Sequence, residues 1–323
     1  MTGELSHGLP RLITQGNRIL RADTAAPAIL RGVNRSGMEY SEAAGITQSE
    51  IQGITQTWGS TVIRLPFNQA WALGGGEYLH AIDQVIDWAA ALGAYTLLDL
   101  QWLDADTVYG TLNDSANNPN HVAPLPNPTT LDLWATLAER YREEPAVLFD
   151  LFNEPHDRLS DDPHPLYLIG ESGTPFESDS TLVSAAEWLP WAAKLTAVIR
   201  QIHPDSLIFV SGVDWAFDIS RIRLAAANIV YSTHVYPNRP RRRWPAAFGN
   251  SAADVPVFVA EWGGGDDDLE WGNRFAAFLH SSPVAGWTAW SWQDNPLLVH
   301  GDRPPYLPTL FGSLVQNEIA RKP

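Results

Sequence analysis

No cysteine occurs among the 323 residues. That absence excludes disulfides, thiolate nucleophiles and cysteine-based zinc sites together. It leaves the compartment open, because many secreted proteins also lack disulfides. No apolar run approaches the ~18 residues that a membrane-spanning helix needs. Residues 1–11 lack the basic-then-apolar pattern of a leader. Basic residues are scarce too: 21 Lys and Arg stand against 37 Asp and Glu, a net charge of −16. A nucleic-acid partner needs a basic footprint, and an anionic membrane or a strongly acidic polysaccharide would be repelled. The balance fits a neutral partner.

What is present in excess is tryptophan, 14 residues. Core packing accounts for several, since indole buries a large apolar area. The flat apolar face of a sugar ring also stacks on indole, so tryptophans near strand ends read as a carbohydrate groove.

Short apolar runs recur at 29–33, 61–65, 94–98, 147–152, 207–210, 229–231, 257–260 and 285–290. Stretches with helical spacing lie between most of them, at 49–58, 78–92, 130–141, 185–202, 269–279 and 309–320. In 78–92 the residues Leu79, Ile82, Val85, Ile86 and Ala89 form one apolar stripe. Thr129 or Thr130 can cap the third of these helices, with Asp132 in its first turn. The intervals after the fifth and sixth strands predict short or irregular helices. Eight strands alternating with helices specify α/β architecture closed as a single (β/α)8 TIM barrel, one catalytic domain over 1–323. Long loops are expected at 104–128 and 157–180, where functional walls or lids would stand.

Two of the runs end abruptly in a glutamate: Leu151-Phe152-Asn153-Glu154-Pro155-His156 and Phe258-Val259-Ala260-Glu261-Trp262-Gly263. Active sites of parallel barrels are built at the carboxyl ends of the strands. Two glutamates there are a candidate facing pair, the machinery of glycosidic bond hydrolysis. The same end collects Asn34, Arg64, Gln101, Trp102, His234, Tyr236, Trp290 and Trp292.

These residues resemble glycoside hydrolase family 5, the old cellulase family A. The matches are Arg64-Leu65-Pro66, Asn153-Glu154-Pro155-His156, His234-Val235-Tyr236, Glu261 on its own strand and Trp290-Ser291-Trp292. They follow in family order across 30–296. The resemblance implies a (β/α)8 barrel that retains anomeric configuration, with Glu154 as acid/base and Glu261 as nucleophile. Under those roles Arg64 and Tyr236 keep Glu261 ionised, and the charge on Glu261 raises the proton affinity of Glu154. Asn153 is placed for the sugar 2-hydroxyl. His234 holds Glu154 or Tyr236. Trp290, with Trp292 as the alternative on the same face, is the platform beside the scissile bond. One departure concerns the third strand, which usually ends Asp-x-His in this family. Here that position is Gln101, which cannot carry charge, and Trp102 beside it replaces part of that surface.

Blander readings stand beside these. Read alone, Glu154 is a glutamate at a helix N-terminus and Glu261 a strand-end surface charge. Arg64 could pair structurally with Asp99 or Glu261, and Asn34 could be a turn residue. Residues 239–243 read as a surface loop at one end of the groove. Asp266-Asp267-Asp268 lacks calcium-loop spacing, and His203, His280 and His300 have no metal-ligand spacing. The expected enzyme is a monomer with no cofactor and no metal, acting on a β-linked oligo- or polysaccharide, with endo-cleavage of β-1,4-glucan first. Mannan, xyloglucan or short β-glycosides are alternatives, as are a non-catalytic sugar-binding barrel and a metal-dependent hydrolase using His234. The resemblance favours secretion by way of a leader, with the cytoplasm as the other location.

Overall fold

A computed structural model describes residues 8–42, 45–103, 123–156 and 183–321. Before the barrel, β1 (Leu12–Gln15) and β2 (Arg18–Arg21) pair as an antiparallel hairpin that the periodicity did not predict. The eight apolar runs then form β3 (Leu30–Asn34), β4 (Val62–Asn68), β5 (Tyr95–Trp102), β6 (Val147–Asp150), β7 (Ile208–Ser211), β8 (Ile229–Val235), β9 (Val257–Trp262) and β10 (Gly286–Ala289). They pair in parallel, in chain order, and β10 closes on β3. The expected barrel is the observed one.

Period-two alternation sorts the side chains. Ile63, Leu65 and Phe67 of β4 face outward with Val33, Phe149, Val210 and Val259, and pack under the helices. Inward, Leu30, Val62, Leu97, Leu148, Phe209, Val230 and Phe258 fill the lower barrel as one apolar cluster. Leu12 and Ile19 of the hairpin join that cluster and plug the amino-terminal end. Above it the inward residues become polar: Asn34, Arg64, Asp99, Asp150, Ser232 and Glu261 are all buried. An apolar floor under a polar upper layer is what confines charge to the carboxyl mouth.

The helices include α1 (Gln48–Gln52), α2 (Gln69–Gly74), α3 (Gly76–Ala91), α4 (Thr129–Arg140), α5 (Ala185–Ile202), α6 (Leu269–Ser281) and α7 (Leu310–Ala320). The apolar stripe of α3 is buried as its spacing requires. At α4 the Asn127 side chain, rather than Thr129 or Thr130, accepts from the Thr130 amide at 3.2 Å. Thr130 is fully buried and donates to Gln69 at 2.7 Å. After β7 and β8 the connections are irregular as expected: two isolated bridges at 212–218, then short turns through Arg241–Arg243, Pro245–Gly249 and Ser251–Ala253. The long loops expected at 104–128 and 157–180 lie largely outside the described residues.

Candidate active site

Arg64 organises the polar layer. Fully buried on β4, it donates to Asp150 from Nε at 3.0 Å, to Asn34 and Glu261 from Nη1 at 2.9 and 2.7 Å, and to Asn153 from Nη2 at 2.9 Å. Asp99 is a fifth neighbour, 2.9 Å from Nη2. Both ion pairs considered from sequence are therefore present together, and Asp150 adds a third. One cation serves three enclosed carboxyls. Burial drives Asp99 well above the usual carboxylate range and Asp150 up to about 6, against the pull of Arg64. A charged residue inside the apolar run 147–152 was the signal that could have revealed Asp150, because a buried carboxyl needs a partner.

Two bulges aim the side chains at the mouth. Between β8 and β9 the register moves from Thr233↔Val259 to His234↔Glu261, leaving Ala260 as the extra residue. Glu261 thereby turns inward beside His234. Between β4 and β5 the pairs Phe67↔Leu100 and Asn68↔Trp102 leave Gln101 unpaired in the ladder. Beyond Glu261 the chain needs Gly263, since a Cβ there would lie 2.6 Å from the Trp290 carbonyl oxygen.

Ligand atoms of Glu154, His234 and Glu261 all lie within 4.8 Å of one another. Retaining glycosidases hold their carboxyls about 5–5.5 Å apart and inverting ones about 6.5–9.5 Å, so this spacing has the retaining geometry. Tyr236 donates to Glu261 at 2.6 Å, completing with Arg64 a two-sided hold on that carboxylate. His234 Nδ1 lies 2.7 Å from a Glu154 oxygen and 3.5 Å from Glu261. Burial lowers the His234 pKa to about 3, so the ring is neutral, and its Nδ1 shares one hydrogen bond with the Glu154 carboxyl. Of the two roles open to His234, holding Glu154 is the one its contacts show. Spacing alone would let these three residues hold a cation, but their facing atoms are already engaged with one another, with Arg64 and with Tyr236.

Glu154 sits only partly exposed, its side chain at 18%. Burial pushes its carboxyl up to about 7, while Arg64 and Arg239 pull it down. The main cause is thus desolvation rather than the Glu261 charge inferred from sequence. If Glu154 acts as a general acid it must be protonated in the free enzyme, and kcat/KM is then expected to hold steady below pH 7. It should fall about tenfold per pH unit well above it. A pH–rate profile on an unactivated substrate checks this; Glu154→Gln should erase that limb.

The remaining candidates divide. Asn153 gives its amide oxygen to Arg64, which orients its NH2 group away from the guanidinium. Asn34 is fully buried and donates to the Ala260 carbonyl at 2.9 Å and, at 3.3 Å, to that of Ala289. It is a tie beneath the site rather than a turn residue. Trp290 keeps 8% of its surface open and donates to the Asn295 carbonyl at 3.1 Å. Trp102 lies 6.0 Å from the exposed ring of Tyr40. The Gln101 side-chain oxygen is buried and finds no hydrogen-bond partner among the described residues. Trp292 belongs elsewhere: it has no exposed surface and packs at 4.9 Å on Trp58 and 5.6 Å on Tyr306. β10 ends at Ala289, so alternation no longer carries Trp292 onto the face of Trp290. Trp262 is likewise enclosed, between Trp287 and Phe311. Trp215 stays partly open and stacks on His156 at 4.1 Å.

A parallel barrel with a carboxyl pair facing across its mouth, one member partly exposed and proton-loving, has the parts that acid–base and nucleophilic chemistry needs. Comparison with known proteins narrows the class. Residues 22–296 match the family model described as cellulase (glycosyl hydrolase family 5), and the chain belongs to that family. Endoglucanase E-5 of Thermobifida fusca is 23% identical over 288 residues, covering 83% of this chain and 53% of that protein. An endoglucanase of Microbulbifer sp. (strain ALW1) is 23% identical over 313 residues, covering 90% and 52%. The chain thus spans about half the length of these curated relatives. Among solved structures, a β-glucanase of Saccharophagus degradans superposes with a TM-score of 0.74 at 23% identity, covering 96% of this chain and 93% of that one. The catalytic domain of a Thermobifida fusca endoglucanase, in complex with cellotetraose, gives 0.71 at 20% identity, covering 97% and 98%.

Proposed function

We propose that the chain is a retaining endo-β-1,4-glucanase working by double displacement. The observation that carries the reading is the Glu154–Glu261 pair at retaining distance, with Glu261 held by Arg64 and Tyr236 and Glu154 held by His234. In the first step a Glu261 oxygen attacks the anomeric carbon, the glycosidic C–O bond breaks, and Glu154 gives its proton to the departing oxygen. In the second, water attacks the same carbon, Glu154 takes the water proton, and the bond to Glu261 breaks, releasing its carboxylate. Arg64 and Tyr236 stabilise the charge on Glu261 as attacker and as leaving group. Asn153 is in place to strengthen a bond to the sugar 2-hydroxyl in the transition state. Gln101, partly exposed at the position where the family usually has histidine, stands at the end of β5 beside the site.

The glucan preference is supported by the names of the relatives, called endoglucanases, and by the cellotetraose bound to one structural neighbour. The partner is then a neutral β-linked glucan. The test is product release from carboxymethyl cellulose, mixed-linkage β-glucan, xyloglucan, glucomannan and xylan by the wild type, Glu154→Gln and Glu261→Gln. Activity on glucans, lost in both variants and indifferent to chelator, is the expected result. Activity on mannan alone would move the substrate and keep the mechanism. Activity surviving in both variants, or abolished by chelator, would refute the assignment.

A further inference from the structure

The connection after β7 holds an unusual turn. Asp214, Trp215 and Ala216 take φ values of 58°, 57° and 55°, three consecutive non-glycine residues in the left-handed region. Each such residue is disfavoured by its Cβ and persists only where its surroundings over-determine it. Here the surroundings are identifiable. Arg239 donates from Nη1 to the Asp214 carboxylate at 3.0 Å and from Nη2 to the Asp214 carbonyl at 2.7 Å. Arg243 adds a contact to the same carboxylate at 3.3 Å. Both guanidinium carbons lie over the Phe217 ring, 4.8 and 5.1 Å from its centre. Residues 239–243, read from sequence as a surface loop, thus grip the turn.

What the turn presents lies next to the acid/base. The Trp215 amide donates to the Pro155 carbonyl at 3.2 Å. Its ring stacks on the buried His156 ring at 4.1 Å with a 20° tilt. His156 Nδ1 lies 2.6 Å from the Glu154 carbonyl oxygen. A continuous chain of contacts therefore runs from Arg239 through Asp214, Trp215 and His156 to the main chain of Glu154. The Ala216 carbonyl, meanwhile, accepts from the His234 amide at 3.3 Å, so the same turn also touches the residue that hydrogen-bonds the Glu154 carboxyl.

We propose that Arg239 is a positioning residue for proton delivery: clamped on Asp214, it holds the left-handed turn that presses Trp215 onto His156 and so fixes Glu154 toward the departing oxygen. The inference rests on the assignment of Glu154 as acid/base. Arg239 also acts through its charge. Among the described residues, the ionisable groups facing Glu154 are Arg64 from β4, His234 from β8, Glu261 from β9, and Arg239 beyond β8. Of these, Arg64 and Arg239 lower its proton affinity.

The test compares Arg239→Gln, Arg239→Lys and Asp214→Asn with wild type on two substrates. One is soluble β-glucan, whose leaving sugar needs a proton. The other is a dinitrophenyl β-cellobioside, whose leaving group does not. kcat/KM reports the first step on each, and circular dichroism with thermal melting confirms folding. Arg239→Gln is expected to lose on the order of 10- to 100-fold on glucan and under about threefold on the dinitrophenyl substrate. Its basic pH limb should move upward, since a cation near Glu154 is gone. Arg239→Lys keeps the charge without the fork, so the limb should stay while part of the loss on glucan remains. Asp214→Asn should lose activity on glucan with no upward movement of the limb. Equal losses on both substrates with an unmoved limb would reduce Arg239 to a structural part and overturn the proposal, as would no loss at all. A wild type silent on both substrates would overturn the hydrolase reading itself, and this inference with it.

Discussion

Glu261→Ala is expected to lower kcat/KM on β-glucan by on the order of 10⁵-fold, the scale seen when a covalent nucleophile is removed. The loss should be chemical rather than structural. Arg64, which donates to Glu261, keeps Asp99 and Asp150 as counter-charges, and the shortened side chain leaves a space at the open mouth of the barrel. Azide can enter that space and attack the anomeric carbon from the side that Glu261 occupied. With no second displacement the product is a glycosyl azide of inverted, α configuration. Glu154→Ala should behave differently. On a dinitrophenyl β-cellobioside, whose leaving group departs without a proton, Glu261 still forms the covalent intermediate, azide replaces water in the second step, and the product is the retained β-azide. Anomeric proton NMR of the two products distinguishes the roles. An α-azide from Glu154→Ala and a β-azide from Glu261→Ala would exchange the assignments.

The second large effect belongs to Arg64. Its fork makes four hydrogen bonds in fixed directions, to Asp150, Asn34, Glu261 and Asn153. Lysine offers a single point charge on a flexible stem. Arg64→Lys is therefore expected to cost ~100-fold in kcat/KM through misplacement of Glu261 and Asn153. Arg64→Met removes the one cation that, among the described residues, touches three enclosed carboxyls, and should cost ~3–5 kcal/mol of stability at pH 7. The pH dependence has a definite sign. Asp99 and Asp150 have raised folded-state affinities for protons, Asp150 with a pKa of about 6. Both are above the unfolded value of ~3.9. Such groups favour the fold while they are protonated, and that contribution is lost as pH rises through the folded value. Without Arg64 the carboxyls can escape charge burial only by keeping protons. The penalty for Arg64→Met should then be clearly smaller at pH 5 than at pH 7. Urea denaturation at the two pH values measures it, and an equal penalty at both would show that Arg64 does not act through these carboxyls.

Some of this site was legible because its signals are local. Glu154 and Glu261 stand out as charges ending apolar runs, and alternation along β4 and β8 puts Arg64, Ser232 and His234 on the inner face. Other features depended on partners far away in the chain. Nothing near Asp150 in sequence announces that Arg64, on another strand, is its counter-charge. The hairpin of β1 and β2 was missed because two strands of four residues carry little periodic signal, and their apolar faces are explained only by the open barrel floor they cover. The misplacement of Trp292 came from extending alternation past the end of a strand, where the chain turns and the rule lapses.

What the sequence by itself determined is the barrel, the order of its strands and the strand ends that carry the carboxyls. Hydrophobic period and residue type at a strand terminus are properties of adjacent residues, and they decide which face is buried wherever the strand lies. Only the tertiary structure decided which charges share Arg64, that burial rather than Glu261 sets the proton affinity of Glu154, and that residues 239–243 grip the turn at Asp214. Those outcomes depend on desolvation and on contacts between segments up to about two hundred residues apart, such as Arg64 and Glu261, 197 residues apart. Such energies exist only once the chain has closed on itself.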